Sequence, residues 1–420
     1  MPKIEIIGGS KLSGEIKISG SKNSAVALIP AAILCDEEVE INNVPNISDV
    51  RDLNDILSYL GVDFVIKDDS IKFLNTNLEN KMIPDEMSGK LRASYYFMGS
   101  LLGKYKSVSM SFPGGCSIGE RPINLHLKGF EKLGAKVIEN VNGEFVISAD
   151  DLNGDEIFLD VPSVGATINI ILASVKAKGV TIIENAAKEP HVIDVCEFLN
   201  SMGAKIEGVG TSRIVISGVD YLHSTKYSVV PDMIEAGTYV IIASLLGDHL
   251  RISNLNPLHI ESLTSKLEEA GVNLNIGKDF VEVLDVDDYK AVDITTMAYP
   301  GFPTDLQQPM TPFLVSCNGT SHIEETVWEN RFMNVEDTVK MGASIEVSED
   351  NKVATIYGKS NLVGKDVWAT DLRGGASMVI CGLIAEGITH IYNIHYILRG
   401  YDDLVGKLRN VGAQIKIVDE

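Results

Sequence analysis

An α/β fold of six repeated units, three to each of two domains, is predicted by three features of the chain. A phrase of apolar residue, glycine and small or apolar residue closes an amphipathic stretch six times, as LGVDF, LGAKV, MGAKI, AGVNL, MGASI and VGAQI. Its glycines, Gly61, Gly134, Gly203, Gly271, Gly342 and Gly412, fall 68 to 73 residues apart, a longer period than that of common solenoid repeats. The chain has 420 residues, whereas a single core stops growing near roughly 250 to 300, so two domains are expected.

The helix ahead of each glycine is read from its spacing. Val50, Leu53, Leu57 and Leu60 recur on one helical face, as do Leu404, Val405, Leu408 and Val411. The glycine supplies the left-handed residue that stops such a helix. Each unit carries a second helix, at Ser24–Leu34, Leu91–Leu102, Ala166–Val175, Ile234–Leu246, Leu306–Val315 and Ala376–Ala385, apolar on nearly all faces and so expected inside. Extended, β-branched segments such as Glu38–Ile41, Ser107–Phe112, Val180–Ile183, Leu250–Ile252 and His390–Ile394 lie between the helices. Six mixed units with one helix buried and the other against sheet follow.

Charge narrows the function. The net charge is -22, from 58 acidic against 36 basic residues, and such a surface repels nucleic acid and anionic membranes. No basic n-region precedes a long apolar stretch at the N-terminus, and no apolar run reaches the roughly 20 residues that span a bilayer. An unexported, cytoplasmic protein with no nucleic-acid or membrane partner is expected. Cys35, Cys116, Cys196, Cys317 and Cys381 are odd in number with no CxxC pair, which argues against a disulfide framework or structural zinc. No metal site is expected.

Several segments could carry chemistry. Pro113–Pro122, PGGCSIGERP, reads as a loop. Its Cys116 is either a small core-type thiol or, with Arg121 five residues on and glycine N–H groups nearby, an acidified proton donor or nucleophile. SGSKNS at Ser19–Ser24 precedes an apolar helix, so Lys22 is either a solvated charge at a strand end or part of an anion site with free N–H groups; the GxxxxGK[ST] spacing is missing. Asp305 in GFPTDLQQ stands just before a helix, where N-capping explains it and a general-base role is the alternative. Arg331 and Arg399 are each read at the start of a helix and Arg373 just ahead of one. Arginine matches phosphate and carboxylate by bidentate hydrogen bonds, so these three suggest a shared anion site, with surface salt bridges as the other reading of each.

With these motifs assembled, the chain resembles, from end to end, the UDP-N-acetylglucosamine enolpyruvyl transferases. The resemblance rests on SGSKN at Lys22 and Asn23, LRAS at Arg92, PGGCSIGERP around Cys116, PSVGAT at Ser163–Thr167, ENAAKEP at Glu184–Pro190, FPTDLQ at Asp305, ENRFM at Arg331, ATDLRGGAS at Asp371 and Arg373, and RGYDDL at Arg399. It implies the fold called an inside-out α/β barrel, a first three-unit domain at residues 22–230 carrying the Cys116 loop, a second at 1–21 and 231–420, and an active site in the cleft between them. It further implies that Lys22, Asn23, Arg121, Arg331 and Arg399 hold phosphoenolpyruvate, and that Arg92, Arg121, Pro122, Ile123, Asn124, Leu125, Val161, Pro162, Ser163, Val164, Asp305 and Val327 line the UDP-sugar site. Catalytic parts fall to Cys116, Asp305, Lys22 and Arg399.

The reaction implied is addition and elimination: C3 of phosphoenolpyruvate is protonated, the sugar 3'-hydroxyl attacks C2, and phosphate leaves, with no metal or organic cofactor. This is the first committed step of peptidoglycan precursor synthesis. The substrates are small molecules, and a monomer is the working expectation for a chain whose sequence does not set its oligomeric state. The family often has Asp and Lys where this chain has Asn124 and Val161, differences that bear on nucleotide affinity rather than reaction type; many relatives carry Arg where it has Met233, so one inter-domain or ligand-facing charge is absent, as in a secondary paralogue. Two other readings compete: the sister transferase acting on shikimate phosphate, which the PGGC loop and SVGAT phrase disfavour, and a non-catalytic sugar-nucleotide sensor, which the joint presence of Lys22, Cys116, Asp305, Arg331 and Arg399 disfavours.

Overall fold

The computed structural model describes residues 2–74, 77–111, 123–139, 144–285 and 288–419. All six phrase glycines adopt positive φ, from +85° at Gly61 to +114° at Gly342, and each follows a helix. Those helices are Ser48–Tyr59, Asn124–Lys132, Pro190–Ser201, Glu261–Ala270, Val335–Lys340 and Leu404–Asn410. A left-handed residue costs an L side chain roughly 1–2 kcal/mol, and glycine avoids that cost. The chain thereby turns at once into the next strand.

The apolar helices are Lys22–Ala32, Tyr96–Tyr105, Val164–Ser174, Met233–Leu246, Thr304–Ser316 and Leu372–Ile384. Nearly every residue of each is buried, at roughly 1.5–3 kcal/mol per large apolar side chain removed from water. The second is shorter than its sequence suggests, because Arg92–Tyr95 forms a 3-10 turn ahead of it. Small residues let these helices approach: a Cβ on Gly99 would stand 2.5 Å from the Asn169 carbonyl oxygen, and one on Gly237 2.6 Å from Leu306 Cδ1.

By its own contacts the chain gathers into two compact units, one of residues 2–19 and 231–419, the other of the described residues from 20 to 230. Each holds three of the six helices just named, and three sheets. Five sheets share one pattern, in which an edge strand pairs in parallel with a second strand and an antiparallel pair follows. Glu156–Phe158 beside Val180–Glu184, with Arg213–Ser217 and Lys205–Glu207 beyond, is an example. In the sixth the parallel edge shrinks to the single bridge Ile83–Met110. Among the described residues each sheet is open and none closes into a barrel; helices sit inside and sheets outside.

Two departures from simple repetition follow from strand pairing. The strand Leu12–Lys17 precedes Lys22–Ala32 in sequence, yet pairs with Gly247–Ser253, while Thr225–Ser228, which precedes Met233–Leu246, pairs with Val39–Asn42. Each edge strand stays behind when the chain passes between units at Ser19–Gly20 and Val230–Pro231. The last unit is also completed from the far end of the chain: Lys3–Ile7 lies between Ile388–Tyr392 and Gln414–Val418, with Ile4 opposite both Ile391 and Ile417. Among the described residues no helix is long and apolar enough to cross a membrane.

Candidate active site

In the unit of residues 20–230, Ser21 caps the first apolar helix by accepting a hydrogen bond from Ser24 N–H at 3.3 Å. Lys22 and Asn23 open that helix. Gly20 ahead of them is required by space, since a Cβ there would stand 1.7 Å from the Asn43 carbonyl oxygen. The Lys22 ammonium is not the solvated charge that an exposed lysine would be: its side chain is 14% exposed and lies 2.8 Å from the carboxylate of Asp49, itself 1% exposed. Asp49 stands in the first turn of Ser48–Tyr59, so two helix N-termini and one buried ion pair fix the lysine.

A second cluster in this unit gathers part of the expected sugar-nucleotide residues. Arg92 opens the 3-10 turn, its guanidinium 5.8 Å from the centroid of the Tyr95 ring, and burial draws its pKa below the usual value. Tyr95 stands edge-on to His126 at 5.0 Å. His126 is buried on the helix begun by Asn124, and burial, then the Arg92 charge, pushes its pKa down to about 3, so the ring is neutral. Its Nδ1 meets Asn169 Nδ2 at 2.9 Å, and Asn169 Oδ1 accepts from Gly99 N–H at 2.8 Å. Gly165 closes the group, since a Cβ there would be 2.9 Å from both His126 Cε1 and Tyr95 Oη.

Gly165 lies in the first turn of the helix capped by Ser163, which accepts from Ala166 N–H at 3.3 Å. Arg92 and the Ser163–Val164 helix start are thus joined through Tyr95 and His126, two residues that composition and motif did not single out. Asn124 and Leu125 open the His126 helix, Ile123 is buried just before it, and Val161 and Pro162 are exposed. Cys116, Arg121 and Pro122 lie outside the described residues. The cysteines that are described, Cys35, Cys196, Cys317 and Cys381, are all buried, and burial pushes the thiols of Cys196, Cys317 and Cys381 up to about 12. They are core filler.

In the other unit two of the three expected anion-binding arginines, Arg331 and Arg373, converge on Asp305. Asp305 does not cap its helix: Pro303 holds the cap position without a side-chain bond, and Asp305 is the second residue of Thr304–Ser316. Its carboxylate is taken by two guanidinium groups, Arg331 Nη2 on Oδ1 and Arg373 Nη2 on Oδ2, the latter at 3.1 Å. Neither Arg331 nor Arg399 starts a helix. Arg331 lies in the loop ahead of Val335–Lys340, and Arg399 is the last residue of the 3-10 turn Ile394–Arg399. Arg373 is inside its helix, whose cap is Asp371, accepting from Arg373 and Gly374 N–H at 2.9 and 3.2 Å.

Burial works against the Arg373 charge, but Asp305, Tyr401 and Asp232 together outweigh it and hold the guanidinium more firmly protonated than usual. The same guanidinium lies 5.5 Å from the ring of Tyr401, whose hydroxyl meets Thr238 Oγ1 at 2.9 Å. The 3-10 turn ending in Arg399 packs on this helix, since a Cβ on Gly375 would stand 2.5 Å from Ile397 Cγ1. Arg331 Nε donates to Thr304 Oγ1 at 3.2 Å. Val327 is 38% exposed, with its N–H donated to Glu325 Oε1 at 2.9 Å. Two guanidinium groups near the start of a buried helix can hold an anionic ligand, and the carboxylate between them can accept a proton once one cation is drawn away.

Comparison with known proteins places the chain in a family. Residues 6–408 match the family described as EPSP synthase (3-phosphoshikimate 1-carboxyvinyltransferase). The chain is 48% identical over 412 residues to UDP-N-acetylglucosamine 1-carboxyvinyltransferase 2 of Staphylococcus aureus strain MRSA252, covering 98% of each. It is 49% identical over 423 residues to the enzyme of that name from Geobacillus kaustophilus strain HTA426, covering 100% of this chain and 98% of the other. Among solved structures, the enolpyruvyl transferase NikO from Streptomyces tendae superposes with a TM-score of 0.90 at 26% identity, over 99% of both chains. EPSP synthase from Acinetobacter baumannii shares the fold, with a TM-score of 0.76 at 17% identity over 99% of this chain and 100% of that one. The chain therefore belongs to the UDP-N-acetylglucosamine 1-carboxyvinyltransferase family of enolpyruvyl transferases.

Proposed function

We propose that this protein transfers the enolpyruvyl group of phosphoenolpyruvate to the 3'-hydroxyl of UDP-N-acetylglucosamine with release of phosphate, as the first committed step of peptidoglycan precursor synthesis in the cytoplasm, working as a single chain. The observation that carries the reading is the Asp305 carboxylate held between Arg331 and Arg373, in a chain that matches full-length relatives of that name.

In this reading Lys22, Asn23, Arg121, Arg331 and Arg399 bind phosphoenolpyruvate. Arg92, the 121–125 and 161–164 stretches, Asp305 and Val327 bind the sugar nucleotide. Two charge-assisted hydrogen bonds occupy the lone pairs that Asp305 needs as a base. The anionic groups of phosphoenolpyruvate compete for Arg331 and release Oδ1, while Arg373 stays on Oδ2 and keeps the carboxylate aimed. Asp305 takes the proton of the 3'-hydroxyl as its oxygen bonds to C2, and Cys116 delivers a proton to C3. A proton then returns from C3 to the Cys116 thiolate, and phosphate departs with the proton held by Asp305, which restores the double bond and resets both side chains.

Phosphate release from phosphoenolpyruvate, measured with UDP-N-acetylglucosamine, with shikimate 3-phosphate and with no acceptor, tests the reading. Release with the UDP-sugar alone is expected. Release only with shikimate 3-phosphate would move the protein to the sister activity, and none with either would favour a binding protein. Cys116→Ser is expected to lose most turnover and keep sugar-nucleotide binding.

A further inference from the structure

Glu325 has no part in the roles assigned above, yet its side chain is among the most constrained in its unit. It is 2% exposed and directly follows the strand Gly319–Glu324. Four donors converge on its two oxygens. Oε1 accepts from the Thr296 hydroxyl at 2.8 Å, from Val327 N–H at 2.9 Å and from Trp328 N–H at 3.1 Å. Oε2 accepts from the Thr304 hydroxyl alone among these, at 2.9 Å.

The two oxygens serve different ends. The bonds to Oε1 shape the turn that presents Val327. On the other side, Thr304 has a single hydroxyl proton, and giving it to Oε2 leaves only lone pairs to face Arg331 Nε–H, which donates to Thr304 Oγ1 at 3.2 Å. A hydroxyl whose proton is committed to a carboxylate is polarised and accepts more strongly. From Arg331 the chain continues to Asp305. We infer that Glu325 is a positioning residue which, through the Thr304 hydroxyl, sets the orientation in which Arg331 meets phosphoenolpyruvate, while its other oxygen holds the Val327 turn. The inference rests on the assignment of Arg331 to phosphoenolpyruvate made above.

Glu325→Gln separates the two branches. Three donors on one side and one on the other dictate that the amide oxygen stays at the Oε1 position. The amide nitrogen then faces Thr304, donates to it and deprives its hydroxyl proton of an acceptor. The hydroxyl oxygen then accepts from both nitrogens with its two lone pairs and is no longer polarised by a carboxylate, so it accepts more weakly from Arg331 Nε–H, while the Val327 turn keeps its bonds. A plain structural staple would lower stability or disturb both substrates together.

The expected result is a several-fold rise in KM for phosphoenolpyruvate, because the charge-assisted Thr304–Arg331 hydrogen bond is weakened. The dissociation constant of UDP-N-acetylglucosamine measured alone should stay within about twofold, because no bond of the Val327 turn is lost. Thr304→Val, which removes that bond, should raise KM at least as much, Thr304→Ser should keep the unmutated KM, and Glu325→Gln with Thr304→Val should be no worse than Thr304→Val alone, as for members of one relay. Should Glu325→Gln fold poorly, Thr304→Val and Thr304→Ser carry the same comparison. Multiplying effects in the double variant, an equal loss for both substrates, or an unchanged KM in Glu325→Gln where Arg331→Lys raises it, would overturn the inference alone. An unchanged KM in Arg331→Lys would overturn it together with the assignment beneath it.

Discussion

Replacing Arg373 by methionine tests whether the charges around Asp305 are balanced as a set. Asp305, Asp371, Arg331 and Arg373 contribute two charges of each sign, with the Arg331 and Arg373 side chains 3% and 4% exposed. Methionine keeps most of the buried stem and removes one positive charge and its hydrogen bond to Asp305 Oδ2. Removing one partner of a buried pair costs about 3–5 kcal/mol when the other is stranded. Asp305 is not stranded, since it keeps Arg331 and is 28% exposed, so the loss should fall near the value of one charged hydrogen bond, about 2 kcal/mol.

Urea unfolding of both proteins at pH 7 measures the loss, with the midpoint moving at constant slope. A deficit below about 0.5 kcal/mol, within the scatter of ordinary surface changes, would refute the argument.

Asp49→Asn should raise KM for phosphoenolpyruvate several-fold by loosening Lys22, whose ammonium it holds at 2.8 Å, and should add nothing in a Lys22→Ala background; additive losses would assign Asp49 a role apart from the lysine. His126, held down to about 3 by burial, contributes stability that is present above its unfolded value near 6.5 and is lost as pH falls through 3. Acid unfolding of His126→Gln should lack that slope, and an unchanged acid limb would count against a neutral buried ring. Gly271→Ala isolates backbone strain, because φ is +103° and a Cβ there meets nothing within 4 Å. Thermal or chemical unfolding should show a loss of about 1–2 kcal/mol, with Gly271→Asn losing less because Asn tolerates the left-handed region; equal losses would point to packing instead.

Local rules make much of the fold legible in the sequence itself. The six glycine caps depend on the residue's own φ, and the amphipathic and apolar helices on spacing within two or three turns, so each is written inside about fifteen residues of chain. SGSKN, FPTDLQ and the arginine motifs are legible as a set, and the structure pairs Lys22 with Asp49 and Arg331 with Asp305. Position at an element end misleads where the partner is remote: Asp305 resembles a cap by position, but its carboxylate is claimed by arginines 26 and 68 residues further on.

Only the tertiary structure decided such pairings. Asp49 beside Lys22, His126 between Arg92 and Asn169, and Glu325 behind Thr304 are ordinary polar residues in their own stretches of sequence, with no spacing or motif to mark them. Sheet pairing likewise decided that Leu12–Lys17 and Thr225–Ser228 join strands other than those that follow them, and that Lys3–Ile7 completes the last unit. The physical reason is the same in each case. Propensity and capping act between near neighbours along the chain, whereas hydrogen-bonded ladders and buried charges take partners wherever the packed core brings them.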